Sequence, residues 1–131
     1  MSDKLFKTIP VSGGDYHYAQ WQGNEKTLLL VHGITASHMA WPRFVREFGD
    51  VHNLLAPDLR GRGKNAELPS PYGFEQHIED LLRLMDAEGL ERVVWVGHSL
   101  GAYIGLDFAY QHADRIDALV LVDGGIALPL R

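Results

Sequence analysis

The sequence predicts an α/β fold, with a mostly parallel sheet of about six strands, an N-terminal antiparallel hairpin and three main helices. Short apolar runs alternate with longer amphipathic stretches between residues 27 and 122, which is typical of strands joined by helices. Near the start of the chain, two strand-like segments flank the turn Ser12-Gly13-Gly14-Asp15, which indicates the hairpin. We expect right-handed helical crossovers to join the later strands into a parallel sheet.

The strands are assigned from short apolar runs that are bounded by turn residues. The two hairpin strands are predicted at residues 5–11 and 16–22, and a second turn follows at residues 23–26. The run at residues 27–31 is almost entirely apolar, as expected for a central parallel strand that is buried on both faces. The same pattern predicts three further strands, at residues 51–56, 92–96 and 116–122.

The first two helices are assigned from apolar residues that recur every three or four positions. Residues 38–48 form one such stretch, in which Pro42 lies early enough to be tolerated in the first turn. Residues 73–88 form the second, which we expect to end at Gly89 as its C-cap. The predicted apolar faces comprise Trp41, Phe44, Val45 and Phe48 in the first helix and Phe74, Ile78, Leu81, Leu82 and Met85 in the second.

A polar loop at residues 59–72 precedes the second helix, and the third helix is predicted at residues 99–112. The motif Asp58-x-Arg60-Gly61-x-Gly63 at the start of this loop is interpreted as a hydrogen-bonding unit that shapes the loop, in preference to a substrate contact. The acidic residues of the second helix are expected to form a solvated face, and they are Glu75, Glu79, Asp80 and Asp86.

The composition is that of an ordinary globular protein, with 46% apolar and 22% charged residues, and we expect one domain over residues 1–131. The formal charge of −5 disfavours a nucleic-acid partner or an anionic membrane surface. No run approaches the ~20 apolar residues of a membrane span and no signal-like segment opens the chain, so a cytoplasmic location is expected. Cysteine is absent, His32 and His38 lack a third ligand, and we expect neither a metal nor a cofactor.

The segment Gly97-His98-Ser99-Leu100-Gly101 is the main candidate site. It follows an apolar run and precedes a helical pattern of small residues, so it predicts a strand, a sharp turn and a helix. Such a turn exposes the Ser99 hydroxyl over the carboxyl end of the sheet, where the N–H groups of the helix N-terminus also point. Gly97 and Gly101 are expected because the turn brings backbone too close for a Cβ. Ser99 is therefore a candidate nucleophile, and a tight structural turn is the alternative.

The chain resembles the N-terminal half of an α/β-hydrolase of the serine esterase or lipase branch. The resemblance covers nearly the whole chain and implies a partial α/β-hydrolase fold. Its motifs occur in the family's order, and they are His32-Gly33 with Ser37 and Trp41 beyond it, the loop motif that begins at Asp58, the segment around Ser99, and Leu121-Val122-Asp123.

This resemblance implies a carboxylic-ester hydrolase site for a small acyl-ester substrate. Ser99 would be the nucleophile, and the backbone N–H groups of Leu100 and Ile34 would form the oxyanion hole. His32, Gly33 and His98 would shape the site, His32 by hydrogen bonding to the oxyanion loop. A serine at position 99 disfavours the dehalogenase and epoxide-hydrolase branches, which use a carboxylate nucleophile.

Part of the family's catalytic triad is expected to be missing. Family members continue beyond the sixth strand into a lid, two more strands and a loop with the catalytic histidine. Asp123 is a candidate for the acid, with a strand-end cap as the alternative. None of the seven histidines is expected to replace the base, so we expect the chain alone to be weak or inactive. Those outside the motifs are expected to be solvated, and they are His17, His38, His52, His77 and His112.

Two functions from different classes remain. The first is a serine-hydrolase scaffold that needs a complementing C-terminal half. The second is a truncated or engineered folding module that self-associates without catalysis. In both, residues 118–122 of the sixth strand have an open apolar edge, and a homodimer is the simplest way to cover it.

Overall fold

The computed structural model describes residues 3–122 and confirms the predicted α/β architecture. The described strands form one sheet, in the order β1-β2-β4-β3-β5-β6. Antiparallel pairing joins β1 to β2 and β2 to β4, and the other three pairs are parallel. The strands are β1 Lys4–Val11, β2 Gly14–Trp21, β3 Glu25–Val31, β4 His52–Pro57, β5 Val93–His98 and β6 Ile116–Val122.

The helices cover both faces of this sheet. They are α1 Pro42–Phe48, α2 Phe74–Ala87 and α3 Leu100–Gln111, with short 3-10 turns at His38–Ala40, Gly63–Asn65 and Ala113–Arg115. Successive residues of β3 point to opposite faces, so Leu28 and Leu30 join the core under α1, whereas Leu29 and Val31 join the core under α2 and α3. The central strand is therefore buried on both sides, as predicted.

The helix predicted at residues 38–48 is divided in two. A 3-10 turn spans His38–Ala40, Trp41 has φ −119° and ψ 33°, and α1 begins only at Pro42. The break has a local cause, because the proline ring disfavours the helical conformation in the residue before it. Trp41 is nevertheless buried in the core, as expected from the sequence.

The inner face of the second helix agrees with the prediction at Ile78, Leu81 and Met85 but not at Phe74. Phe74 lies in the first turn and is 38% exposed, whereas Leu84 is fully buried with Ile78, Leu81 and Met85. Gly89 follows the helix with φ +70°, and its N–H donates to the carbonyl of Asp86, which confirms it as the terminating residue.

None of the helices that the structure describes within residues 3–122 has the length and hydropathy of a membrane-spanning helix.

Candidate active site

The segment around Ser99 forms a sharp turn between a central strand and a helix. β5 continues to His98, two residues beyond its predicted end, and α3 begins at Leu100. Ser99 lies between them with φ +54° and ψ −115°, and it is the only non-glycine residue with a positive φ in the described chain. Holding an L-residue there costs about 1–3 kcal/mol, a strain that is typical of functional sites.

The two flanking glycines are required by close backbone contacts, as predicted. A Cβ on Gly97 would lie 2.5 Å from the carbonyl oxygen of Gly101. A Cβ on Gly101 would overlap the carbonyl oxygen of Val31 at the end of β3. The indole N–H of Trp95 donates to the Gly101 carbonyl at 3.0 Å and further fixes the turn.

The loop after β3 lies directly against this turn. A Cβ on Gly33 would lie 3.3 Å from the Cβ of Ser99 and 3.0 Å from Nδ1 of His98. Ile34 follows with its side chain 58% exposed. The structure therefore brings together Gly33, Ile34, His98, Ser99 and Leu100. The family resemblance implies that Ser99 is the nucleophile, that Leu100 and Ile34 are the oxyanion donors, and that Gly33 and His98 shape the site.

His32 holds the peptide that links Gly33 and Ile34. Its Nε2 accepts a hydrogen bond from the Leu59 N–H at 2.8 Å, so the proton is on Nδ1, which donates to the Gly33 carbonyl at 2.6 Å. Burial lowers the pKa of His32, which favours this neutral form. Because the Gly33 carbonyl and the Ile34 N–H belong to one planar peptide, His32 also sets the direction of that N–H.

A second contact holds the same loop, and the sequence contains no signal for it. Nε of Arg62 donates to the Ile34 carbonyl at 3.0 Å, and another guanidinium nitrogen of Arg62 donates to the Arg60 carbonyl at 3.3 Å. Arg62 therefore ties the loop after β4 to the loop after β3.

Asp58 organises the loop after β4, in agreement with its interpretation as a loop-shaping residue. Its Oδ1 accepts from the backbone N–H of His38 at 2.6 Å and lies 2.8 Å from Nδ1 of the same residue. Its Oδ2 accepts from the Lys64 N–H at 2.8 Å. The expectation that His38 is solvated is wrong, because this pairing holds the ring in a buried position.

Arg60 forms a buried ion pair with α2. Its Nε and one terminal nitrogen donate to the two carboxylate oxygens of Asp80 at 2.9 and 2.8 Å. The Asp80 carboxylate raises the pKa of Arg60. Asp80 is fully buried, so its assignment to a solvated acidic face is wrong. A signal was present, because Asp80 is four residues before the buried Leu84 and shares its side of the helix.

His77 is a second buried histidine on α2. The ring is only 1% exposed, and neither nitrogen has a hydrogen-bond partner within the described residues. Burial, together with the positive charge of Arg62, lowers its pKa to about 4. The expectation that His77 is solvated is therefore also wrong, because its position on α2 faces the sheet.

Of the expected triad, the described residues 3–122 contain only the nucleophile position, because Asp123 lies outside them. Within the same range, no three His, Asp or Glu side chains form a metal-binding group.

Comparison with known proteins identifies the class to which this fold and site belong. The sequence profile of the alpha/beta hydrolase fold family matches residues 26–130, and the chain therefore belongs to that family. A crystal structure of an alpha/beta hydrolase from Novosphingobium aromaticivorans superposes with a TM-score of 0.83 at 28% identity, over 92% of this chain and 44% of that one. The crystal structure of an epoxide hydrolase from Vigna radiata superposes with a TM-score of 0.84 at 26% identity, over 92% of this chain and 38% of that one.

Several of the curated relatives carry the names of hydrolases of different kinds. N-formylmaleamate deformylase of Pseudomonas putida is 32% identical over 124 residues, which is 94% of this chain and 46% of that protein. The lipase LipV of Mycobacterium tuberculosis is 33% identical over 101 residues, and a putative carbamate hydrolase, RutD of a Caulobacter species, is 35% identical over 102. Each of these two matches covers 77% of this chain and 38% of the relative. The chain thus spans less than half the length of these three relatives.

Proposed function

We propose that this chain is a serine-hydrolase scaffold of the carboxylic-ester type. The strained Ser99 turn at the start of α3, with the Gly33–Ile34 peptide against it, is the observation that supports this function most directly. The hydrolase relatives support it further, since lipase, deformylase and carbamate hydrolase are all names for enzymes that cleave bonds at a carbonyl group.

The proposed reaction begins with attack of the Ser99 hydroxyl oxygen on the substrate carbonyl carbon. Negative charge then develops on the carbonyl oxygen, and the backbone N–H groups of Leu100 and Ile34 would stabilise it. Loss of one such donor typically costs about 3–4 kcal/mol of transition-state stabilisation. His32 would act as a positioning residue, because it orients the peptide that carries the Ile34 N–H.

The proton of the Ser99 hydroxyl has to pass to a base, and the family resemblance implies that the catalytic histidine follows the sixth strand. We therefore propose that the chain alone is a weak catalyst and that a complementing C-terminal half supplies the base. The alternative is a self-associating module without catalysis, and the expected lack of an in-chain base favours it.

Hydrolysis of p-nitrophenyl butyrate by the purified chain tests this function. We expect slow release of p-nitrophenol that falls to the buffer rate in Ser99→Ala. Ser37→Ala is the matched control, because it removes another serine from the loop beside the site, and it should retain the wild-type rate. Equal rates for wild type and Ser99→Ala would support the non-catalytic alternative.

A further inference from the structure

A cavity of about 450 Å³ lies beside α1, away from the Ser99 turn. Its volume is within the range of pockets that hold small molecules. The wall includes three buried side chains, Trp21, Trp41 and His38, and the rim includes the exposed cations Lys4 and Arg46. The function proposed for Ser99 makes no use of this cavity.

The two tryptophans provide flat apolar surface. Both rings are almost fully buried, and both line the cavity. The indole N–H of Trp41 is itself buried, so the tryptophans present ring surface to the cavity. A wall of this kind favours a ligand with an aromatic ring.

The cavity is positively charged, although the chain as a whole carries a formal charge of −5. No acidic residue of the described chain lines it. The Lys4 ammonium lies 5.2 Å from the centre of the Phe6 ring and 5.6 Å from the centre of the Trp21 ring. Cations beside aromatic walls are suited to an anionic group attached to a ring.

His38 forms a rigid part of the same wall. Nδ1 of His38 is held by the buried carboxylate of Asp58, and the second carboxylate oxygen is bonded to the Lys64 N–H. The backbone N–H of His38 also donates to Asp58, so the ring is fixed in the wall from two atoms.

We propose that the cavity lined by Trp21, Trp41, His38, Lys4 and Arg46 binds a small aromatic carboxylate. The ring lies against the two indoles, and the carboxylate lies between Lys4 and Arg46. Binding there is independent of the Ser99 reaction.

Benzoate binding to the full chain tests this proposal. The probes are tryptophan fluorescence and the indole N–H signals of ¹⁵N-labelled protein, with the Trp41 signal assigned from Trp41→Phe. We expect benzoate to shift the Trp41 signal saturably. Arg46→Met should weaken binding about fivefold or more, as expected for loss of a partly exposed charge contact. Arg43→Met is the matched control, since Arg43 is on the same helix but lines a different cavity.

The outcomes separate this proposal from the hydrolase function. Ser99→Ala should bind benzoate as the wild type does, even if no esterase activity is found. Absence of a saturable shift would overturn the proposal, and so would equal weakening by Arg46→Met and Arg43→Met. Benzamide, which keeps the ring without the charge, should bind at least fivefold more weakly; equal affinity would overturn the role of the carboxylate.

Discussion

Ser99 shows the conflict between stability and chemistry at a single residue. The turn that exposes its hydroxyl requires a positive φ, which L-residues rarely adopt. Hydrogen bonds and close packing around Gly97 and Gly101 hold the residue in that conformation. The strain should therefore be measurable as lost stability.

Replacement of Ser99 by glycine should release this strain. We expect the free energy of unfolding of Ser99→Gly to be about 1 kcal/mol higher than that of Ser99→Ala. This figure allows for the greater entropy of glycine in the unfolded chain. Urea unfolding of the two variants makes the measurement. Both lack the hydroxyl, so Ser99→Ala is the matched control, and equal stability would contradict a strained turn.

His77 makes the folded state sensitive to acid. Its folded pKa of about 4 is below the ordinary value of 6.5, so between these values the unfolded chain binds a proton that the folded chain does not. The free energy of unfolding therefore decreases as the pH falls from 6.5 to 4, and this contribution reaches about 2 kcal/mol at pH 5. The lowered pKa of His32 acts in the same direction.

His77→Leu should remove most of this dependence, since leucine does not titrate and needs no hydrogen bond. We expect the loss of stability between pH 7.5 and pH 5 to be about 2 kcal/mol smaller than in the wild type, as measured by urea unfolding. Ile78→Val is the control on the same helix, and it should lower stability by about 1 kcal/mol at both pH values. An unchanged pH dependence in His77→Leu would contradict the buried, neutral histidine.

At the scale of elements, one ion pair attaches the loop after β4 to α2. The Arg60 guanidinium also donates to the carbonyls of Pro69 and Ser12, so it joins the loop, the helix and the hairpin turn. The loop motif itself was predicted to be a hydrogen-bonding unit. Its partner on α2 was not, because the acidic residues of that helix were assigned to a single solvated face.

Asp80→Asn should destabilise the protein far more than a similar change on the surface of the same helix. We expect a loss of about 3–5 kcal/mol, because the guanidinium stays buried without its counter-charge. Asp86→Asn is the matched control, since Asp86 is 68% exposed and pairs with Arg115, and it should cost less than about 1 kcal/mol. Similar losses in the two variants, measured by thermal unfolding, would show that the Arg60 pair contributes no more than a surface pair.

At the scale of the whole molecule, β6 is the last strand of the described sheet. It pairs with β5 on one side only, and Val120 is 41% exposed. An open apolar edge of this kind favours pairing with another strand. The homodimer expected from the sequence stays a prediction, with antiparallel pairing of two β6 strands as its simplest form.

Val120→Lys should weaken such a dimer. In light scattering, we expect the molar mass of the wild type to rise from that of a monomer to that of a dimer as the protein concentration increases. The variant should reach the dimer mass only at a protein concentration at least about tenfold higher. Val51→Lys is the control, because Val51 is 51% exposed and lies outside the strands. A wild-type chain that stays monomeric at every concentration would contradict the prediction.

Local patterns were sufficient to predict the six strands, the Ser99 turn and its two glycines, because periodicity and backbone sterics act between near neighbours in the chain. The role of His32 as a support of the loop that follows it came from the family resemblance and not from these patterns. They failed for His38 and His77, whose burial depends on other segments, and Asp80 was missed despite its helical spacing from Leu84. They gave no signal for the contact of Arg62 with Ile34. Asp58 and Arg60, for example, are each paired with a residue 20 positions away. Such pairs form only once the sheet brings distant loops together, so the tertiary structure alone decides which polar residues are buried around the site.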